Sequence, residues 1–175
     1  KGAIVDQLNK PTKNSNILVG TYLIAQKIKQ STTKKCVGLL LPASSASIMS
    51  NLAILSRAKT TVNLNYTTSP TILNDCLTVA NIDTIITSHI FIEKLTTKGF
   101  DYKALLSNYN VIYLEDFMKR VSTVKKLQIL GLVRLLPTWL LKLTMIKKHT
   151  INDNAAILFS SGSTIRASEL NRAFD

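Results

Sequence analysis

Acidic residues are scarce: 10 Asp and Glu stand against 22 Lys and Arg, a formal net charge of +12 over 175 residues. The deficit is also uneven. No acidic residue lies between Asp116 and Asp153, while Lys119, Arg120, Lys125, Lys126, Arg134, Lys142, Lys147 and Lys148 fall in that interval. This asymmetry favours one attachment surface for something anionic over a uniformly basic nucleic-acid binder. Cysteine is limited to Cys36 and Cys76, which excludes a disulfide framework and leaves two buried, reduced thiols as the expectation. Histidine is limited to His89 and His149, with no Cys, His or Glu at ligand spacing, so no metal cluster is expected. Aromatic residues make up 6% and are not interleaved with the cations, which weighs further against a nucleic-acid partner. The opening Lys1-Gly2 carries no secretory pattern and reads as the start of a piece excised from a longer chain.

What is present is a globular core. Apolar residues make up 46% of the chain, enough for one domain with one core. Short apolar runs alternate with amphipathic stretches, the order of βαβ units. "NSNILVGTYLIAQKIKQ" reads as a helix capped by Asn14 or Ser15, with Ile17, Val19 or Leu18, Leu23, Ala25 and Ile28 on its apolar face. "CVGLLLP" (36–42) reads as a buried strand. A helix capped by Ser44 or Ser45 follows, with Ile48, Leu52 and Leu55 at helical spacing. "TTVNLN" is a strand; Ser69 and Pro70 open the next helix, and "DTIITS" is a third strand. Val37, Thr60 and Asp83 are 23 residues apart, one strand plus one crossover helix. "IFIEKL" is a short helix, "TTKGFDY" a loop, and "NVIYLED" (110–116) and "AAILFSS" are the fourth and fifth strands. The fold class expected is α/β: a doubly wound, mostly parallel sheet with flanking helices.

Residues 117–149 form a basic, apolar helical insert. "LQILGLVRLLPTWLLKLTMI" (127–146) has the length of a membrane span, but Arg134, Pro137 and Lys142 argue against a simple one. Arg134, Thr138 and Lys142 stack on a helical wheel, with Arg120, Lys126 and Lys148 near the same face and Trp139 among the leucines opposite. Two readings remain: a kinked core helix with solvated cations, or contact with an anionic membrane surface through Arg120, Lys126, Arg134, Trp139 and Lys142.

The run "AAILFSSGST" ends in Ser160-Ser161-Gly162-Ser163-Thr164, where backbone N–H groups and four hydroxyls suit a polyphosphate and glycine permits close approach. A plain turn competes with that reading, and no Gly-Lys-Ser/Thr follows as a Walker loop requires. In its context, "DNAAILFSSGST" resembles the ATP-binding signature of the adenylate-forming enzymes. "VGLLLPASSASIMSNLAILSRAKTTVNLNYT", with Asn63 and Asn65, is similar to that superfamily's first βαβ region. Within it, "LLLPASSA", "VNLNYT", "TSHIFIEKL" and "VIYLEDF" look most like the bifunctional acyltransferase/acyl-acyl-carrier-protein synthetases.

That resemblance covers nearly the whole chain and implies the N-terminal part of an AMP-binding domain over 1–175. It implies ATP and Mg²⁺ as cofactors, with Ser160, Ser161, Gly162, Ser163 and Thr164 on the β- and γ-phosphates. A fatty acid would be the acid activated, acyl carrier protein or coenzyme A the acceptor, and the cytoplasmic face of an inner membrane the location. The thioester would serve lysophospholipid re-acylation. Catalytic residues are not assigned, and this stretch alone is expected to be inactive. The alternative class is a non-catalytic α/β module docking on anionic membrane through 119–148. The pattern departs after Thr164, where the family has Gly-x-Pro-Lys-Gly and this chain has Ile165-Arg166-Ala167-Ser168. Three explanations stand: a mobile stretch is omitted there, the tail is divergent, or the ATP grip is lost. The faint similarity of Glu169-Leu170-Asn171 to the segment past the family's lysine favours the first.

Overall fold

The structure is a computed structural model that describes residues 3–5, 11–137, 140–141, 146–147 and 154–159. A short antiparallel pair, β1 (Ala3–Val5) and β2 (Pro11–Lys13), precedes helix α1 (Asn14–Ser31). The main body then runs β3 (Cys36–Leu39), α2 (Ser45–Ser56), β4 (Thr60–Asn63), α3 (Pro70–Val79), β5 (Thr84–Thr87), α4 (His89–Thr97) and α5 (Lys103–Leu106). It continues with β6 (Asn110–Tyr113), α6 (Leu114–Arg120), α7 (Thr123–Leu135) and β7 (Ala156–Leu158). Five strands form one sheet in the order β6-β5-β3-β4-β7, and every pairing is parallel.

The sequence shows why a parallel sheet forms. All four residues of β3 and all four of β5 are buried, so these strands are apolar or hydroxyl-bearing throughout instead of alternating. Both faces are covered. On one side Val62, Ile85 and Leu40 pack with Leu73 and Leu77 of α3, Phe91 and Leu95 of α4, and Tyr102. On the other, Val37, Leu39, Ile86 and Ile112 pack with Ile24 and Ile28 of α1 and Ala53 and Ile54 of α2. Helix α7 joins this second layer through Ile129, against Val19 and Leu23 of α1.

Serine sets the helix starts. Ser44, Ser69, Ser88 and Ser122 each accept a hydrogen bond from the backbone N–H three residues on, and Pro70 sits in the first turn of α3. Such a cap contributes about 1 kcal/mol and fixes the direction in which the chain leaves its strand.

Several expectations are corrected. Helix α1 starts at Asn14 with Lys13 as its cap residue and no side-chain cap, because the chain enters directly from β2. The buried face of α2 is Ser50, Ala53 and Ile54, whereas Ile48 and Leu52 are exposed; small residues let the helix lie close on its neighbours. The segment 114–116 is the acidic first turn of α6, not strand, which suits the positive end of a helix dipole. Helix α4 runs on to Thr97 and so takes in the first two residues of the expected loop, and a short helix, α5, follows that loop. Two separate helices, α6 and α7, occupy the start of the basic segment, and α7 gives way at Leu136, extended because Pro137 follows.

Tyr102 is fully buried, and its hydroxyl lies 2.8 Å from the Tyr66 carbonyl oxygen and 2.7 Å from that of Thr68. It thereby pins the β4–α3 loop at the carboxyl end of the sheet. Tyr102→Phe is expected to lower the free energy of unfolding by about 0.5–1.5 kcal/mol, since the single phenolic proton shared by two part-buried carbonyls is lost. Tyr102→Ala should cost more by cavity formation, about 3–5 kcal/mol in total; denaturant titration of both variants checks the order.

Candidate functional site

Chain direction defines where a ligand would bind. The chain begins the sheet in its centre at β3, steps to β4, crosses back to β5 and β6, and returns to the far edge at β7. Helix α2 leaves β3 towards one face, while α3 and α4 leave the flanking strands β4 and β5 towards the other. Exits that diverge from adjacent parallel strands leave a crevice outside their carboxyl ends, the usual ligand position in open α/β sheets.

The loops at this edge are tied to one another. Thr87 Oγ1 donates to the Leu40 carbonyl at 2.8 Å, joining the end of β5 to the end of β3. Asn65 Oδ1 accepts from the N–H of Thr67 at 3.0 Å and from its hydroxyl at 2.7 Å, and Thr68 Oγ1 donates to the Asn65 carbonyl at 2.7 Å. Asn65 therefore builds the turn after β4. Asn63 closes β4 itself, in register with Leu39 and Leu158.

Strand β7 reaches the same edge. Thr60 Oγ1 donates to the Asn154 carbonyl at 2.7 Å and Thr61 N–H to that of Ala155 at 3.1 Å, and the ladder runs parallel to Leu158. Phe159 follows and packs against the core. The phosphate-loop residues Ser160, Ser161, Gly162, Ser163 and Thr164 lie outside the described residues, as does the Ile165–Ser168 departure.

The junction of β5 and β6 holds a cluster that the sequence reading missed. Ser88 Oγ donates to Glu115 Oε1 at 2.6 Å, and His89 N–H donates to Glu115 Oε2 at 3.1 Å. The His89 ring stacks on Tyr113 with centroids 3.8 Å apart and planes 3° off parallel. Its Nε2 lies 2.8 Å from Asp116 Oδ2; a carboxylate only accepts, so Nε2 carries the proton. His89 itself stands exposed in the first turn of α4. The available signal was two hydroxyl-or-imidazole residues closing one strand and two carboxylates opening the helix after the next. Ser88 faces Glu115 and the N–H of Phe91, not His89, so this is not a serine nucleophile with its base. It is a clasp between two βα turns.

Electrostatics follow from these contacts. Burial pushes the Glu115 carboxyl up, but the Ser88 hydroxyl and the N–H groups of Glu115, His89 and Ile90 outweigh it and hold it below the usual range. The hydrogen bond from His89 does the same for Asp116. Burial pushes both thiols, Cys36 and Cys76, up, as suits free core cysteines.

The basic segment is divided. Arg120 and Arg134 are exposed, while Lys126 is half-buried with its Nζ donating to the Met118 carbonyl at 2.9 Å. Trp139 and Lys142 lie outside the described residues. Among the described residues no helix is long and apolar enough to cross a membrane, and no group of three His, Cys, Asp or Glu could hold a metal ion.

The class of protein that this architecture defines is an α/β fold matching the N-terminal domain of adenylate-forming enzymes. It is similar to the amide bond synthetase McbA from Marinactinospora thermotolerans, with a TM-score of 0.64 and 15% identity over 93% of this chain and 30% of that one. Apo MatB from Rhodopseudomonas palustris gives 0.62 and 14%, over 92% and 29% of the two chains. The O-succinylbenzoate coenzyme A synthetase MenE from Bacillus subtilis, in complex with ATP and magnesium, gives 0.53 and 16%, over 65% and 29%. These neighbours are ligases of the adenylate-forming superfamily. The chain thus spans about 30% of the length of the first two. No protein-family profile matches the sequence.

Glu115 supplies a pH signature. Its folded-state pKa is depressed, so its contribution to stability is present above the unfolded value of about 4.3 and is lost as pH falls through the folded one. The stability–pH curve below about pH 5 should be steeper for the wild type than for Glu115→Gln, as followed by urea unfolding at each pH.

Proposed function

We propose that this chain is the N-terminal part of an ATP-dependent ligase that activates a carboxylic acid, first as an acyl-adenylate and then as a thioester. What supports the reading is the parallel register of β7 beside β4: it ends that strand at the carboxyl edge, immediately before Ser160 in the sequence. Ser160, Ser161, Gly162, Ser163 and Thr164 would hold the β- and γ-phosphates, where hydroxyls and backbone N–H groups stabilise charge as pyrophosphate departs. Bound ATP supplies the leaving group and Mg²⁺ the counter-charge. The described residues shape the edge on which this happens: Thr87 and Asn65 fix the loops after β3 and β4, and the Glu115 clasp fixes those after β5 and β6.

The finer assignment rests on the sequence resemblance. The acid is a fatty acid and the acceptor thiol belongs to acyl carrier protein or coenzyme A. The parent protein works in lysophospholipid re-acylation at the cytoplasmic face of an inner membrane. In the full-length protein, Ser163→Ala with Thr164→Ala is expected to slow fatty-acid-dependent ATP–pyrophosphate exchange by about tenfold or more. Unchanged exchange would remove the loop from the reaction. The 175-residue chain by itself should show no exchange.

One observation favours a second role beside the first. The outer face of α7 leaves Val124, Leu127, Leu132 and Leu135 exposed, with Arg134 and Lys125 flanking them. This combination suits the surface of an anionic bilayer. Arg134→Glu with Lys142→Glu should reduce co-sedimentation of the protein with phosphatidylserine liposomes several-fold, at about 1 kcal/mol per cation. Equal binding by the variant would dismiss this surface.

A further inference from the structure

Beside the contact of Ile129 with Val19 and Leu23, a groove opens between α1 and α7. Asn16, Val19 and Leu23 of α1 face Lys126, Leu127 and Leu130 of α7 across a cavity of about 270 Å³. Both sets recur at three- and four-residue spacing, so each helix gives the groove one continuous stripe for roughly 10 Å of its length. The walls are apolar apart from Asn16, Lys126 and the Thr123 hydroxyl residue, and among the described residues nothing fills the space. A gap this size approaches the lower limit for small-molecule sites.

The single cation in the lining is held in position. Lys126 is the half-buried member of the basic segment, and the carbonyl of Met118, in the last turn of α6, takes one of its three N–H bonds. Among the described residues it makes no second side-chain hydrogen bond, which leaves two N–H groups able to donate to a ligand. Lys119, Arg120 and Lys125 are near it in the sequence, and residues 117–152 carry no acidic side chain. Asp116, the nearest carboxylate in the sequence, is engaged by His89.

We infer that the α1–α7 groove binds a single aliphatic chain carrying an anionic head, with the chain along Val19, Leu23, Leu127 and Leu130 and the head on Lys126. A carboxylate or a phosphate supplies the shared chemistry: an anion that accepts two N–H bonds, on a tail that replaces water against the leucines. The site lies within the helical layer, apart from the carboxyl edge of the sheet, and the inference stands whether or not the chain belongs to a ligase.

The test is photolabelling of the full-length protein with a diazirine-bearing dodecanoate, followed by mass-spectrometric mapping of the labelled peptides. Label is expected in the peptides that contain residues 16–23 and 118–130. Competition by dodecanoate against dodecyl phosphate identifies the preferred head, and dodecyltrimethylammonium should not compete. Lys126→Glu should cut labelling of these peptides by about tenfold. Leu127→Asp, at a position already 61% exposed and therefore open to a polar side chain, should cut it comparably. ATP–pyrophosphate exchange measured in parallel separates the two claims, since it reads the carboxyl edge and not the groove. Label found only elsewhere, equal labelling of both variants, or competition by the cationic amphiphile would each overturn the inference.

Discussion

Strand β3 is four residues long and buried on both faces, and the rest of the molecule is arranged to keep it so. Its N–H and C=O groups are taken up by β4 on one side and β5 on the other. Its side chains need two helical layers, which the crossovers provide: α3 and α4 below, α1 and α2 above. A parallel ladder cannot be closed by hairpins, so each strand must be followed by a return helix. Covering β3 on both faces therefore forces the exits of β3 to diverge from those of β4 and β5, and that divergence creates the crevice at the carboxyl edge. Even the glycine of β3 is fitted to the packing. A Cβ on Gly38 would lie 3.2 Å from both Ile85 Cγ1 and Leu64 Cδ1, so these side chains of the neighbouring strands would have to give by a few tenths of an ångström to admit it.

Much of this architecture was legible in the sequence because burial on both faces leaves a distinct trace. "CVGLLLP" and "DTIITS" do not alternate, and the serines that end or follow the strands are the residues that cap helices. Other features were not legible for physical reasons. Helix α2 spreads its apolar and its small hydroxyl residues around its circumference, so periodicity could not choose between Ile48, Leu52 and Leu55 and the true inner face of Ser50, Ala53 and Ile54. The Glu115 clasp joins residues that are 26 and 27 positions apart, a contact set by parallel pairing of β5 and β6 rather than by any local pattern. The acidic pair also reads as the end of a strand until the Leu114 turn is seen to begin a helix. The phosphate-loop residues were singled out by sequence alone, and the structure contributes the direction and edge of the strand that precedes them.

The two helical layers carry different burdens. The layer holding α3, α4 and α5 is closed: Leu73, Leu77, Tyr102 and Leu105 are buried, and Tyr102 reaches from it to the loop after β4. The layer holding α1, α2 and α7 is open, with a groove between α1 and α7 and a row of exposed leucines and a valine on α7. The stretch 117–152, which carries no acidic residue, begins on α6 and runs through α7 on this side. An anionic, partly apolar ligand or surface suits that side, and a polyphosphate suits the carboxyl edge.

The central claim is that ATP is gripped where β7 ends beside β4. Hydrogen–deuterium exchange of the full-length protein, with and without ATP and Mg²⁺, tests it most directly. The account predicts slower exchange on nucleotide binding in the peptides covering residues 154–164 and in the β4–α3 loop at 64–69. Slowing confined to other regions, with these two unchanged while ATP is demonstrably bound, would contradict it.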